Sequence, residues 1–243
     1  KSFPTYQTSI ENKKQLEKFI PRPYQMEAYN ALFGAGPFKG NQKNKLYLCW
    51  ARGAGKDMFC FMAMVRKALE RVGQYFYLLP SGRQARLVMW DTVLTHNGLT
   101  FRDMIPKALV KKTNDTKMLI ELINGSLIHI LGSNEASEKL IGANPSGIVF
   151  SESQVSNLPE SFDYVRPRLA LNDGWVIFNG TPRGMSNYFY QLLNIAKNDP
   201  EDWFYSYKTV YDTQHIDPKR LAKERKDMSP DKFAQEYECD FSV

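Results

Sequence analysis

No apolar run in the 243 residues comes near the roughly 20 that a bilayer-spanning helix needs, so no membrane segment is expected. Cysteine is scarce. Cys49, Cys60 and Cys239 are odd in number and show no C-x-x-C pairing, which argues against a disulfide framework or a zinc site and suits a reducing cytoplasm. The three histidines, His96, His129 and His215, are scattered without metal-ligand spacing and read as structural. Internal repeats and low-complexity stretches are missing. The chain opens on Lys1, not methionine, and has no signal-peptide pattern, as expected of a trimmed or processed fragment.

What is present is a globular composition. A hydrophobic share of 43% with 13% aromatics is enough to bury a sizeable core and excludes a disordered chain. The formal charge of +6 is spread along the sequence. It suits a polyanionic partner and equally an ordinary basic surface.

After a polar arm over 1–20, apolar runs and helical patterns alternate along a single domain, 1–243. Helices are expected at Pro21–Phe33, 56–73, 82–94, 135–143, 186–197, Pro218–Asp227 and Pro230–Cys239, and at 159–171 up to Pro167. The last two, within 217–243, close the chain. Strands are expected at 45–50, 74–80, 146–152, 174–180 and 202–210. A hairpin is expected over 117–133, turned by Asn124-Gly125. Continuously apolar strands separated by helices imply an α/β fold whose mostly parallel sheet is covered on both faces. Ligands of such sheets sit beyond the strands' carboxyl ends. Three polar stretches, Arg52–Asp57, Ser151–Glu152 and Asn179–Thr181, should therefore meet.

The first of these lies in "LYLCWARGAGKD", Leu46–Asp57, an altered phosphate-binding loop of the G-x-x-x-x-G-K-[ST] type. Gly53, Ala54 and Gly55 can turn backbone N–H groups toward a phosphate at the start of a helix. Lys56 can reach the β- and γ-phosphates, and Arg52 can steady charge over them. Two positions depart from the pattern. Trp50 replaces the first glycine, at the strand end and away from the phosphate. Asp57 replaces the hydroxyl residue. An acidic residue is mildly favoured in a first helical turn, by about 0.3–1 kcal/mol. Against a triphosphate it would be repelled, so either nothing anionic binds or magnesium lies between.

"GIVFSE", Gly147–Glu152, has the build of a Walker B strand with Ser151-Glu152 where Asp-Glu is usual. Loop and strand have exchanged carboxylate for hydroxyl, which keeps the donor types around one cation. On this reading Asp57 is the main magnesium carboxylate, Ser151 its neutral partner, and Glu152 the residue that orients and deprotonates the attacking water. Two independent losses would spell the same letters, and a strand-end glutamate can also serve only a surface ion pair.

With these motifs go "RPYQ" (Arg22–Gln25), "LLPSGRQARLVMW" (Leu78–Trp90), "FNGTPRG" (Phe178–Gly184) and "FAQEYECDF" near the end. In order and spacing the set resembles, over nearly the whole chain, the ATPase domain of tailed-phage terminase large subunits in its GKD form. The resemblance implies a RecA-like P-loop NTPase fold and an ATP- and magnesium-dependent motor that drives double-stranded DNA into a prohead from the host cytoplasm. The implied partners are the portal protein, the small terminase subunit and further copies in a ring, expected to be pentameric, with a monomer expected in isolation. It further implies that Tyr24 and Gln25 recognise adenine and that Asn179, Gly180 and Thr181 sense the γ-phosphate and couple it to DNA. Both stretches also read plainly, as helix-face residues and as a turn. Some relatives carry an arginine finger just before Walker B. Here only Lys139 is basic there, so Lys139, Arg52 in cis, or Arg83, Arg86 or Arg102 across the ring would serve, and such a finger is worth about 10³–10⁵ in rate. Lys111, Lys112 and Arg183 are candidate DNA contacts. No later acidic cluster suggests a nuclease, so ATP hydrolysis without DNA cleavage is expected.

Other readings fit less well. A DEAD-type helicase also pairs an upstream glutamine with Walker motifs, but needs a second RecA-like domain for which there is no room. A non-catalytic nucleotide-binding scaffold would not call for Lys56, Arg52 and Glu152. Nucleotide kinases leave "FNGTPRG" unexplained.

Overall fold

Strand β1 (Lys45–Trp50) is apolar at every position but its first, and the chain builds a sheet around it. The computed structural model describes residues 20–95, 97–133, 140, 142–155 and 158–243, the side chains of 158–161 excepted. The other strands are β2 (Gln74–Leu79), β3 (Val110–Asn114), β4 (Leu119–Leu122), β5 (Leu127–Gly132), β6 (Pro145–Phe150), β7 (Trp175–Gly180) and β8 (Trp203–Lys208). Their order across the sheet is β3-β4-β5-β2-β6-β7-β1-β8. From β5 to β8 every pairing is parallel, while β3 and β4 run antiparallel at one edge. This is the expected α/β architecture, with the hairpin turned at Asn124-Gly125, where Gly125 takes φ 90°.

Alternation along β1 splits the core into two layers. Leu46, Leu48 and Trp50 face helix α2 (Lys56–Glu70), whose residues from Phe59 to Val65 are all buried. The sheet covers one side of α2. Helix α1 (Met26–Phe33) and the segment around Phe101 close over the rest. Tyr47 and Cys49 face the opposite layer with α3 (Leu158–Leu171), α4 (Tyr188–Asn198) and α6 (Pro230–Tyr237). Between α4 and α6 lies α5 (Pro218–Asp227).

The structure corrects several boundaries. The first helix starts later than Pro21, with a 3₁₀ turn at Pro23–Gln25 before α1. The helix expected over 82–94 stops at Trp90 and is a π-helix over Ala85–Trp90. Its wider turn lets Met89 and Trp90 both point inward while Leu87 and Val88 stay exposed. The Trp90 indole then donates to Asp115 Oδ1 at 2.9 Å. Pro167 does not end α3, which continues to Leu171. Packing of Phe162, Val165 and Leu169 on the sheet outweighs a proline cost of about 3 kcal/mol. The last helix ends at Tyr237, and Cys239 adopts φ 59°. β3 was not expected at all: its polar residues are largely exposed at the sheet edge. Most of the helix expected over 135–143, with Lys139, the arm over 1–19 and His96 lie outside the described residues.

Gly147 in β6 lies under the Trp175 ring, where an added Cβ would meet ring carbons at 2.2 Å and 2.4 Å. Gly147→Ala should therefore destabilise the domain by about 1–3 kcal/mol through overpacking, read from urea unfolding midpoints. A midpoint equal to wild type would contradict this packing.

Candidate active site

The loop after β1 is shaped by two left-handed glycines, Gly53 (φ 78°) and Gly55 (φ 76°), the latter capping α2. Only glycine takes such angles without strain, so the spacing of the two sets the loop's curvature. Lys56 is buried and folds back onto the loop, donating to Trp50 O at 2.8 Å and Ala51 O at 3.3 Å. Trp50 sits at the strand end as expected, its indole N–H donating to Ser206 Oγ in β8 at 2.8 Å.

The three polar stretches do meet. Asp57 Oδ1 accepts from Ser151 Oγ at 2.6 Å, from the Tyr77 hydroxyl at 2.7 Å and from Asn179 Nδ2 at 3.3 Å. Loop, β2, β6 and β7 thus converge on one carboxylate oxygen. Ser151 is fully buried and Asn179 nearly so. Asn179 also donates to Cys60 Sγ at 3.2 Å. Burial, with the Asp57 carboxylate adding to it, holds the Tyr77 phenol well above its ordinary value, so it acts as a donor. Asp57 Oδ2 has no hydrogen bond among the described residues.

Glu152 follows Ser151 in a left-handed conformation, φ 51°, which a non-glycine residue adopts at some cost. Its carboxylate accepts from Gln154 Nε2, and that amide also lies 3.4 Å from Thr181 Oγ1. Gly180 makes this possible, because a Cβ there would fall 2.4 Å from Gln154 Oε1. Ser153 N donates to Asn179 O at 3.0 Å, joining the two strand tips a second time.

The loop is braced from both ends of the chain. Tyr24 and Gln25 both donate to Ala54 O, at 2.8 Å and 3.1 Å. Gln25 Oε1 meanwhile accepts from Arg22 N at 3.0 Å. Arg52 N donates to Glu236 O at 2.8 Å, and the Arg52 guanidinium pairs with Glu236 Oε2 at 3.2 Å. Burial pushes the Glu236 carboxyl up, but hydrogen bonds from Lys232 and Arg52 outweigh it and hold the group below its ordinary value. His215 Nε2 lies 2.8 Å from Arg52 O, which can only accept, so this nitrogen carries the proton. Burial keeps the ring below its ordinary value, leaving Nδ1 to accept from Thr213 Oγ1 at 2.7 Å.

A cleft of about 820 Å³ opens at this end of the sheet, lined by Gly53, Lys56, Asp57, Glu152, Thr181 and Arg183. Met58, Leu94, Phe101 and Met104 give it an apolar part, and Arg22 and Gln25 line it as well. Among the arginines considered for a finger, Arg102 pairs with Asp115 and stacks on Trp90, and Arg86 donates to Asp115 O. Arg83 is exposed. The DNA-contact candidates Lys111, Lys112 and Arg183 are all exposed, and Lys111 pairs with Glu121 at 2.6 Å.

Tyr77, Gln154, His215 and Glu236 were not singled out from the sequence. Tyr77 is one letter of an apolar strand, Gln154 stands two places past Glu152, and Glu236 is 184 positions from its partner. No local pattern marks Tyr77, Gln154 or His215, and Glu236 lies within "FAQEYECDF", where nothing local gives it a role.

Comparison with known proteins fits this geometry. Residues 47–242 match the family model described as terminase large subunit, T4likevirus-type, N-terminal. The terminase large subunit of Escherichia phage T5 is 27% identical over 200 residues, covering 80% of this chain and 43% of that protein. The fold is similar to a mutant ATPase domain of the Thermus phage P74-26 large terminase, with TM-score 0.71 at 15% identity, covering 93% of this chain and 96% of that one. It is also similar to the large terminase of a thermophilic bacteriophage in complex with ATP-gamma-S, with TM-score 0.70 at 15% identity, covering 91% of this chain and 53% of the other. The chain thus spans about half the length of the full-length large terminases it matches. With a family model spanning most of its length, the loop and strand tips described above, and this fold, the chain belongs to the terminase large-subunit family, whose N-terminal region it represents.

Proposed function

We propose that this domain hydrolyses ATP and couples the hydrolysis to translocation of double-stranded DNA into a viral prohead, working in the host cytoplasm as part of a ring on the portal. The observation that carries the reading is the 2.6 Å hydrogen bond between Ser151 and Asp57. It supports the exchange of hydroxyl and carboxylate between loop and strand as one intact site, because the exchanged groups still form the contact that joins the loop's helix to the tip of β6. The donor set fits magnesium: a carboxylate with one oxygen anchored and the other unbonded among the described residues, and a hydroxyl beside it, with Lys56 one residue away to meet the phosphates and not the cation. Asp57 and Ser151 would hold magnesium there, and the ion would offset the charge of the phosphates.

In this reading Lys56 leaves the Trp50 and Ala51 carbonyls for the β- and γ-phosphates. Glu152 orients the attacking water and takes its proton. Gly53, Ala54 and Gly55 cradle the phosphates. Tyr24 and Gln25 hold the loop through Ala54, and with Gln25 lining the cleft they are the residues to recognise adenine. Arg52, mostly exposed, exchanges Glu236 for the γ-phosphate. Glu236 keeps Lys232 at 2.7 Å, so the exchange does not leave its buried carboxylate without a cation. Asn179, Gly180 and Thr181 transmit nucleotide state through the Asp57 and Gln154 contacts. Arg183, which lines the cleft, and Lys111 and Lys112 on the sheet edge are exposed cations set to meet DNA phosphates or a neighbouring subunit, and such binding weakens with salt. Lys139 would be the finger in trans.

Glu152→Gln should lower DNA-stimulated phosphate release by about 10²–10⁴-fold while equilibrium ATP binding stays near wild type. Turnover at the wild-type rate would remove Glu152 from catalysis. The exchange itself is tested with Asp57→Ser, Ser151→Asp and the double variant in the same assay. Each single change should cripple hydrolysis, the first by removing a carboxylate and the second by placing two together. The double variant should recover a substantial part of the rate, and a double variant as poor as the worse single one would refute the exchange.

A further inference from the structure

Tyr77 lies in the middle of the sheet, fully buried, with its ring edge-on to Phe61 at 6.2 Å between centroids. Its surroundings are apolar, and a phenylalanine would fill the same space. A buried hydroxyl that lacked a partner would be costly. The Tyr77 hydroxyl meets that demand by donating to Asp57 Oδ1 at 2.7 Å, with the Ser151 hydroxyl also within its hydrogen-bonding reach. Ser151 and Asn179 reach the same oxygen from the neighbouring strands. Donors from β2, beyond β6, and beside it on β7 therefore surround one oxygen and leave the other without a described hydrogen bond. A carboxylate held this way cannot turn its anchored oxygen toward the cleft.

We infer that Tyr77 is a positioning residue for the cation site: its hydroxyl, with Ser151 and Asn179, fixes Asp57 Oδ1 so that Oδ2 is presented to a nucleotide-bound divalent cation. This rests on the reading of Asp57 as the magnesium carboxylate. It also accounts for an acidic residue at a place where a hydroxyl is usual. Three donors on Oδ1 draw charge away from the phosphates and hold in a single orientation a side chain that would otherwise swing. Partners that orient a metal ligand without touching the metal are commonly worth 10-fold to 100-fold in metal affinity.

The test uses Tyr77→Phe, which removes one oxygen and leaves the ring. ADP-bound protein is titrated with Mn²⁺, counted by electron paramagnetic resonance, and with Mg²⁺ in competition. The cation midpoint should weaken by about 10-fold or more in Tyr77→Phe. Affinity for ADP without divalent ion should stay unchanged, and hydrolysis should recover toward wild type at high magnesium. A purely structural role would instead lower nucleotide affinity with and without metal alike. Asp57→Asn is the reference. If it weakens the cation midpoint and Tyr77→Phe does not, the inference on Tyr77 is wrong while the assignment of Asp57 stands. If neither moves it, both fall. Should Tyr77→Phe fold poorly, Tyr77→Met serves as the second arm, with the same shift expected and a wild-type midpoint again decisive against the proposal.

Discussion

The hydrogen bond from Ser151 to Asp57 is the constraint on which the rest of the site depends. It joins the first turn of α2 to the tip of β6, two elements that are far apart in sequence and adjacent at the carboxyl end of a parallel sheet. The sheet order makes it possible. β6 lies beside β7, and β7 beside β1, so Ser151 and Asn179 both arrive within reach of the helix that β1 feeds. Hydrogen bonds to charged groups contribute about 1.5–3 kcal/mol each, so three on one oxygen rank among the stronger local ties in the domain. A shift of any one strand tip is felt at Asp57.

A second set of ties is weaker, and that weakness suits it to change. The Arg52 guanidinium is mostly exposed and free to swing, while buried Glu236 also has Lys232, so neither partner depends on this pair alone. The backbone contacts at the same place are firmer: Arg52 N to Glu236 O, Ala51 N to Lys208 O, and His215 to Arg52 O. The loop's backbone is thus held by the C-terminal part of the chain while its cationic side chain is held loosely. A polyanion in the cleft would compete for the side chain and leave the backbone frame in place. Glu236, losing one of its two cations, would keep Lys232 at 2.7 Å.

Much of this fold was legible because buried parallel strands are written as unbroken apolar runs. Every such run became a strand, and the polar letters after three of them mark where the sheet ends and the site begins. β3 was not legible, since a polar edge strand gains its stability from pairing with β4 and carries no apolar signal of its own. The stop at Trp90 and the passage through Pro167 were hidden for the opposite reason: tertiary packing overrode a local rule. In the site, Lys56, Asp57, Ser151 and Glu152 could be named because they stand next to glycines or apolar runs with a recognisable order. Tyr77 and Glu236 could not, because their roles exist only once the strands are laid side by side and the last helix returns to the loop.

Glu152 shows how the same frame poises the chemistry. Its left-handed backbone lies between a buried serine tied to Asp57 and a buried Ser153 whose N–H is bonded to Asn179 O. A strained residue persists when the contacts on both sides over-determine it, and here they do. The strain turns the side chain away from the path of the strand toward Gln154, and Gln154 in turn touches Thr181 at the end of β7. An adjustment at β7 has two routes to the site: through Asn179 to Asp57, and through Thr181 and Gln154 to Glu152. Asp57 and Glu152, the groups proposed to hold the cation and the attacking water, would then move with the same strand. Because Gly180 has no side chain, Gln154 can lie against the strand that carries both routes, and that close approach is the geometric reason why a glycine separates Asn179 from Thr181.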